Sequence, residues 1–183
     1  MVVQSAPTAA PKRLLIIDDN KDIHADFRKV FDGLPTGAAH SAIDQLEADL
    51  FGSDNRHDPA ARERRLLSVE VHSAYQGEDG IKMALEAARR GQPYYMAFVD
   101  VRMPPGIDGV QTIKRLWKDL PNLQCVICTA YSDYDWSQIS SELGQTGNLL
   151  ILKKPFDAVE VLQLAQSMAE KADLTESAER YLG

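Results

Sequence analysis

The sequence contains little cysteine and no long hydrophobic run, and each shortage excludes a class of protein. No apolar stretch approaches the roughly 20 residues that a membrane-spanning helix requires, and residues 1–12 lack a secretory signal. We therefore expect a cytoplasmic protein without a membrane partner. Its two cysteines are too few for a structural zinc site, which usually takes about four ligands. Cys125 and Cys128 form a CxxC motif within an apolar run typical of a strand, which predicts two buried structural residues rather than a redox pair.

Positive charge is also in short supply. Lys and Arg total 20 against 27 Asp and Glu, so the net charge is −7, a balance that attracts nucleic acid weakly. Four arginines between Arg56 and Arg65 form a basic stretch, but such a stretch is more often a solvated surface. Direct nucleic-acid binding is therefore disfavoured. The hydrophobic share of 44% is ordinary and sufficient for the core of one globular domain.

The hydrophobic pattern alternates between strand-like runs and helix-like spacing. Residues 14–17 form a continuous apolar run typical of a buried parallel strand, and the spacing of the apolar residues from Ile23 to Phe31 predicts a helix after it. The same pair recurs along the chain, with further strands predicted at 67–74, 95–99, 123–128 and 149–152. The alternating polarity of the second strand predicts an edge position. Alternating strands and helices indicate a doubly wound α/β fold, a parallel sheet covered by helices on both faces.

The chain is predicted to form one domain with additions at both ends and one insertion. We expect a flexible lead-in at 1–12, the domain at 13–170, and an extension of the last helix or a linker at 171–183. The connection at about 33–65 is long, since loops above about 15 residues are uncommon unless structured or functional. Within it, apolar spacing predicts a short amphipathic helix at Ile43, Leu46, Leu50 and Phe51.

Polar and charged side chains stand where the predicted strands end. Asp18 and Asp19 follow the first strand, Asp100 the third, Thr129 the fourth and Lys154 the fifth. The carboxyl ends of parallel strands share one edge of the sheet, where such folds bind ligands. We therefore expect these side chains to come together at that edge.

A group of carboxylates at one edge needs a cation, because each pair of such charges repels by roughly 1 to 4 kcal/mol. Mg²⁺ is suitable, since it takes oxygen ligands and leaves positions for phosphate oxygens, and Lys154 adds a second positive charge. The arrangement fits phosphoryl transfer, in which a carboxylate can itself become an aspartyl phosphate. Asp100 is the candidate acceptor because it stands alone at a central strand, while Asp18 and Asp19 suit the metal and Thr129 offers a hydroxyl.

These residues resemble those of the receiver domain of bacterial two-component response regulators. The matching segments follow the order of that family and are Asp18-Asp19, Phe98–Pro104, Asp108-Gly109, Thr129-Ala130 and Lys153–Phe156. The resemblance covers about 13–168 apart from the insertion. It implies a flavodoxin-like three-layer sandwich with a five-stranded parallel sheet and an inserted helical segment.

The resemblance also implies a function for each site residue. Asp100 would accept a phosphoryl group from a histidine kinase or phosphotransfer protein, and Thr129 and Lys154 would contact that group. The Mg²⁺ ligands would be Asp18, Asp19, Asp100 and the backbone carbonyl of Arg102. The bond between Lys154 and Pro155 is expected to be cis. Such a protein is a switch that catalyses only its own phosphorylation and dephosphorylation. The resemblance does not identify its output domain or effector protein. It also does not decide whether the chain forms a homodimer through the fourth helix, fifth strand and fifth helix.

Besides the insertion at 33–65, the sequence departs from the family at two points, and it leaves alternatives open. Ile151 stands three residues before Lys154, where the family usually has an aromatic switch residue, and the segment Met103–Gly106 carries one extra residue. A Mg²⁺-dependent phosphatase or phosphotransferase with an aspartyl-phosphate intermediate would use the same side chains. An interaction module that is never phosphorylated is a third hypothesis.

Among the histidines, His24 is expected at the surface and His72 shows no pairing.

Overall fold

The computed structural model describes residues 11–32, 69–130, 136–144 and 147–182. Over these residues five parallel strands alternate with five helices, and the strand order across the sheet is β2-β1-β3-β4-β5. The strands are β1 (Lys12–Ile17), β2 (Val69–Ala74), β3 (Tyr94–Asp100), β4 (Gln124–Thr129) and β5 (Leu149–Lys153). The helices are α1 (Lys21–Asp32), α2 (Gly77–Arg89), α3 (Gly109–Asp119), α4 (Trp136–Leu143) and α5 (Ala158–Leu182).

The predicted fold class is confirmed, including the edge position of the second strand. Among the described strands β2 pairs with β1 alone, and β3 lies at the centre of the sheet between β1 and β4. The last helix runs to Leu182, whereas the insertion at 33–65, its expected helix and the basic stretch lie outside the described residues. The domain boundaries stay a prediction. None of the described helices is long and apolar enough to cross a bilayer.

Each face of the sheet carries its own hydrophobic layer, because successive residues of a buried strand point to opposite sides. Leu15, Ile17 and Val99 pack with side chains of α2, α3 and α4 on one face. Leu14, Ile16 and Phe98 pack with α1 and α5 on the other. This two-sided burial explains why the strands read as nearly continuous apolar runs.

The two cysteines lie in different layers of this core. Cys125 belongs to the layer under α2, α3 and α4, and Cys128 to the layer under α1 and α5. Both are free and buried, and burial raises the pKa of each thiol. The predicted burial of both cysteines is confirmed, and their side chains lie on opposite faces of the sheet.

His72 does have partners, so the expectation of an unpaired histidine is wrong. Its Nδ1 lies 2.6 Å from the hydroxyl of Tyr94 and its Nε2 lies 2.7 Å from a carboxylate oxygen of Glu70. The hydrogen bond from His72 holds the pKa of Glu70 below its usual value. Glu70 is two residues away on the same strand face, but Tyr94 is on β3, so sequence spacing alone did not show the cluster.

The beginning of α3 is packed tightly against the end of β3. Asp108 caps the helix, its side chain accepting a hydrogen bond of 2.8 Å from the amide of Gln111. The next residue, Gly109, donates its amide to the carbonyl of Val101 at 2.8 Å. A Cβ at position 109 would overlap the backbone carbonyl of Asp100. Glycine is required here because the helix approaches the backbone of the strand so closely.

We predict that Gly109→Ala destabilises the fold by about 1–3 kcal/mol, because a methyl group would push α3 away from the rigid end of β3. Urea unfolding measures the effect. Gln111→Ala is the matched control in the same helix, since Gln111 is exposed and its capping contact uses only the backbone amide. The control should stay within about 0.5 kcal/mol of wild type. Equal stability of Gly109→Ala and Gln111→Ala would contradict the close packing.

Candidate functional site

The site is built around the ammonium group of Lys154, which joins the ends of two strands. Lys154 Nζ donates to Asp18 Oδ2 at 2.7 Å and to Asp100 Oδ1 at 2.9 Å. Asp18 follows β1, Asp100 ends β3 and Lys154 follows β5. These residues are therefore brought together at the carboxyl edge of the sheet, as the strand endings predicted.

Asp18 and Asp19 differ in burial although they are adjacent. The side chain of Asp18 is only 3% exposed, and its Oδ1 accepts a hydrogen bond of 2.9 Å from the amide of Asn20. Asp19 is exposed. Asp18 is thus fixed by the fold, whereas Asp19 faces the solvent side of the site.

The three carboxylates form a donor set that fits Mg²⁺. One oxygen from each of Asp18, Asp19 and Asp100 lies within 4.8 Å of the others. Mg²⁺ prefers carboxylate oxygens and keeps waters in its remaining coordination positions. Because Asp19 is exposed, there is room for such waters. A divalent cation would also offset the repulsion among three negative groups.

The electrostatics of Asp100 reflect its position at the centre of the sheet. Burial raises the pKa of Asp100 and the charges of Asp18 and Asp19 raise it further, which together outweigh the lowering effect of Lys154. The pKa of Lys154 is also raised. Burial alone would lower it, but hydrogen bonds to Asp18 and Asp100 outweigh burial. Lys154 is therefore a permanent cation in a site that holds excess negative charge.

Thr129 lies beside this cluster in the structure, and Arg102 lies beside it in the sequence. Thr129 is 5% exposed, its hydroxyl donates to the carbonyl of Ala130 at 3.0 Å, and its own carbonyl accepts the amide of Lys154 at 2.8 Å. The side chain of Arg102 is exposed, two residues beyond Asp100. Their assigned roles stay predictions.

The two departures from the family pattern have local consequences. The peptide bond between Pro104 and Pro105 is cis, and the side chain of Gln76 accepts from the amide of Gly106 at 3.2 Å and donates to the carbonyl of Pro104 at 3.3 Å. The loop with the extra residue is thus held against the start of α2. Ile151 is partly buried and packs against the core.

The cis bond expected between Lys154 and Pro155 is confirmed.

His24 was missed as a neighbour of the site, and the expectation that it lies at the surface is wrong. It is 2% exposed, and its Nε2 lies 2.7 Å from the backbone carbonyl of Asp18. The buried positions of α1 are His24, Phe27 and Phe31. The sequence did contain a signal for this burial, because His24 lies three residues before Phe27 and so on the same face of the helix as the two phenylalanines.

Comparisons with known proteins agree with this fold. The family model described as "Response regulator receiver domain" matches residues 61–166. Sporulation initiation phosphotransferase F of Bacillus subtilis (strain 168) is 33% identical over 96 residues, which cover 52% of this chain and 73% of that protein. The chain belongs to the response regulator receiver domain family. It is therefore a response regulator of two-component phosphorelay signalling.

Solved structures show the same fold at low sequence identity. A CheY-like receiver domain protein from Methanospirillum hungatei JF-1 superposes with a TM-score of 0.60 at 16% identity, covering 91% of this chain and 99% of that one. The REC domain of AraT, a response regulator from Geobacillus stearothermophilus, gives a TM-score of 0.59 at 21% identity, covering 90% and 98%. The family match begins after β1, so the contact of Asp18 with Lys154 comes from the tertiary structure.

We predict that Asp100→Asn stabilises the metal-free protein and that the gain depends on pH. A carboxyl group whose pKa is raised by folding contributes stability that is fully present below its unfolded pKa and is lost as the pH rises through the folded pKa. The gain should therefore begin near the ordinary value of 3.8 and become constant at higher pH, with about 1.4 kcal/mol for each pKa unit. Asparagine still offers an oxygen to Lys154. Urea unfolding of both proteins in EDTA from pH 3.5 to 8, in steps of about half a unit, measures the difference. A difference that does not change with pH would contradict the prediction.

Proposed function

We propose that Asp100 is the phosphoacceptor, receiving a phosphoryl group from a histidine kinase or a phosphotransfer protein. The observation that carries the proposal is the pair of hydrogen bonds from Lys154 to Asp18 and Asp100, which fixes the acceptor carboxylate among the ends of three strands. The side chain of Asp100 is 13% exposed, so a carboxylate oxygen remains open to a donor. The name of the Bacillus relative, a phosphotransferase, supports transfer of a phosphoryl group.

Mg²⁺ would be held by Asp18, Asp19 and Asp100 together with the backbone carbonyl of Arg102. When bound, the ion supplies positive charge that neutralises the carboxylates and the incoming phosphoryl oxygens. Lys154 would contact the phosphoryl group once Asp100 is phosphorylated, because its ammonium already lies 2.9 Å from Oδ1 of Asp100. Thr129 would offer its hydroxyl from the end of the neighbouring strand.

The output would be a change in the population of conformations at the surface of α4, β5 and α5. That surface would bind an output domain, a separate effector protein or a second copy of the chain. One structural relative is a CheX-CheY complex with BeF3 and magnesium, which supports a protein partner. With Ile151 in place of an aromatic residue, the signal would pass through the movement of a smaller, partly buried side chain. We also propose that this signalling takes place in the cytoplasm.

The chain would catalyse only its own phosphorylation and dephosphorylation. A phosphatase or phosphotransferase that turns over a small substrate has less support, because the matched family consists of receivers. Repeated release of phosphate from a specific monoester would favour the enzyme, whereas loading once from a small phosphodonor is the behaviour of a switch.

Incubation with acetyl phosphate and Mg²⁺ should add one phosphoryl group to the wild-type protein. Asp100→Asn should gain none, because the amide cannot accept the group, and EDTA should prevent loading of the wild type. Intact-mass spectrometry measures the gain. Asp22→Asn is the matched control, an exposed acid at the start of α1, and it should load like the wild type. Loading of Asp100→Asn to the level of the wild type would refute the proposed acceptor.

The adjacent lysines at the end of β5 provide a second test. Lys154→Met should abolish the response to phosphorylation, because no ammonium remains to contact the phosphoryl group at Asp100. Lys153→Met is the matched control, since Lys153 is exposed on the neighbouring position. Amide hydrogen exchange in α4 and β5, with and without acetyl phosphate, measures the response. A normal change in Lys154→Met, or an equal loss in both variants, would contradict the role of Lys154.

A further inference from the structure

His24 is a buried polar side chain that contacts the acidic site from inside the protein. Its Nε2 lies 2.7 Å from the backbone carbonyl oxygen of Asp18, and since a carbonyl can only accept, Nε2 is the donor. The other ring nitrogen, Nδ1, is buried and has no hydrogen-bond partner among the described residues. An apolar side chain would fill this space without an unpaired nitrogen. The N–H directed at Asp18 is therefore what the imidazole contributes.

This hydrogen bond completes the fixation of Asp18. The amide of Asp18 donates to the carbonyl of Ala74 at 3.1 Å. Its two carboxylate oxygens accept from the amide of Asn20 and from Lys154. The carbonyl is the remaining polar atom, and His24 supplies its partner from α1. Every polar atom of Asp18 thus has a hydrogen-bond partner, and these partners hold its carboxylate toward the site.

A second contact holds the imidazole ring itself. The centroid of the His24 ring lies 4.6 Å from that of Tyr75, with an angle of 56° between the planes. Tyr75 directly follows β2, while His24 is in α1 and Asp18 follows β1. The histidine therefore connects three segments of the carboxyl edge, and its donor is fixed relative to the strand that carries Asp18.

We propose that His24 is a positioning residue for metal binding, acting through the backbone of Asp18. The inference rests on the proposed function, because it assigns Asp18 and Asp19 to the metal. Both carboxylates project from the segment whose carbonyl His24 holds. Mg²⁺ accepts little variation in ligand distance, so a looser backbone weakens binding. Outer partners of this kind change metal affinity by roughly 10- to 100-fold when removed.

The test compares His24→Gln with His24→Met. Both side chains are unbranched and of similar length, and both lose the ring, but only glutamine can donate an N–H to the carbonyl of Asp18. Calorimetric titration with MgCl₂, at a temperature where circular dichroism shows both variants folded, gives the dissociation constants. We expect Mg²⁺ binding about tenfold weaker in His24→Met and close to wild type in His24→Gln.

A purely structural role would lower the thermal stability of both variants without separating their Mg²⁺ affinities. Phosphorylation by acetyl phosphate provides a second readout. In His24→Met the rate should recover toward the wild-type maximum at saturating Mg²⁺, with a higher half-saturating concentration. Equal dissociation constants for the two variants would overturn the inference. If His24→Met does not fold, His24→Phe replaces it in the comparison, because phenylalanine keeps an aromatic ring but cannot donate a hydrogen bond. Wild-type Mg²⁺ affinity in His24→Phe would likewise overturn the inference.

Gln124→Leu is the matched control for removing a buried polar side chain. Gln124 is 2% exposed, and its amide group donates to the carbonyl of Met168 at 2.7 Å. It is the first residue of β4 and therefore lies at the amino-terminal end of the strands, away from the acidic site. Its Mg²⁺ affinity should equal that of the wild type. Absence of Mg²⁺ binding in the wild-type protein would refute the proposed function. Normal binding by the wild type and by His24→Met would refute only the role of His24.

Discussion

The acidic site depends on the half-buried ammonium group of Lys154, which lies between two carboxylates. Three strands end at the same edge of the sheet, and two of them bring negative side chains into a region with little solvent. Without the ammonium of Lys154, Asp18 and Asp100 would repel each other across a short distance in a medium of low dielectric. The two hydrogen bonds from Lys154 offset this repulsion by placing a positive charge between the carboxylates. A divalent cation would relieve the charge that remains.

The rest of the fold holds this arrangement in place. Apolar layers pack against both faces of β1, β3 and β5, the strands whose ends carry the site. Gly109 lets α3 approach the carbonyl of Asp100, and His24 holds the carbonyl of Asp18 from α1. The acidic site is therefore supported by backbone contacts from two helices as well as by its own side chains.

Membership of the receiver family explains why the segments of the site are spread along the chain. The family match starts after the first strand, and a long insertion separates Asp18 from the rest of the site residues in sequence. In space the separation disappears, because β1 lies between β2 and β3. A parallel sheet tolerates such an insertion, since its register depends on the strands and not on the length of the connection between them.

Local sequence was sufficient for the alternation of strands and helices, the edge strand, the cap at Asp108 and the placement of acidic residues at strand ends. Apolar periodicity and the chemistry of turns act over a few residues, so these features can be read directly. The burial of His24 and the contact of His72 with Tyr94 needed the tertiary structure, since the partners of these side chains lie on other segments of the chain. The same holds for the distance from Lys154 to Asp18 and Asp100, because the packing of β1, β3 and β5 decides how closely three strand ends meet.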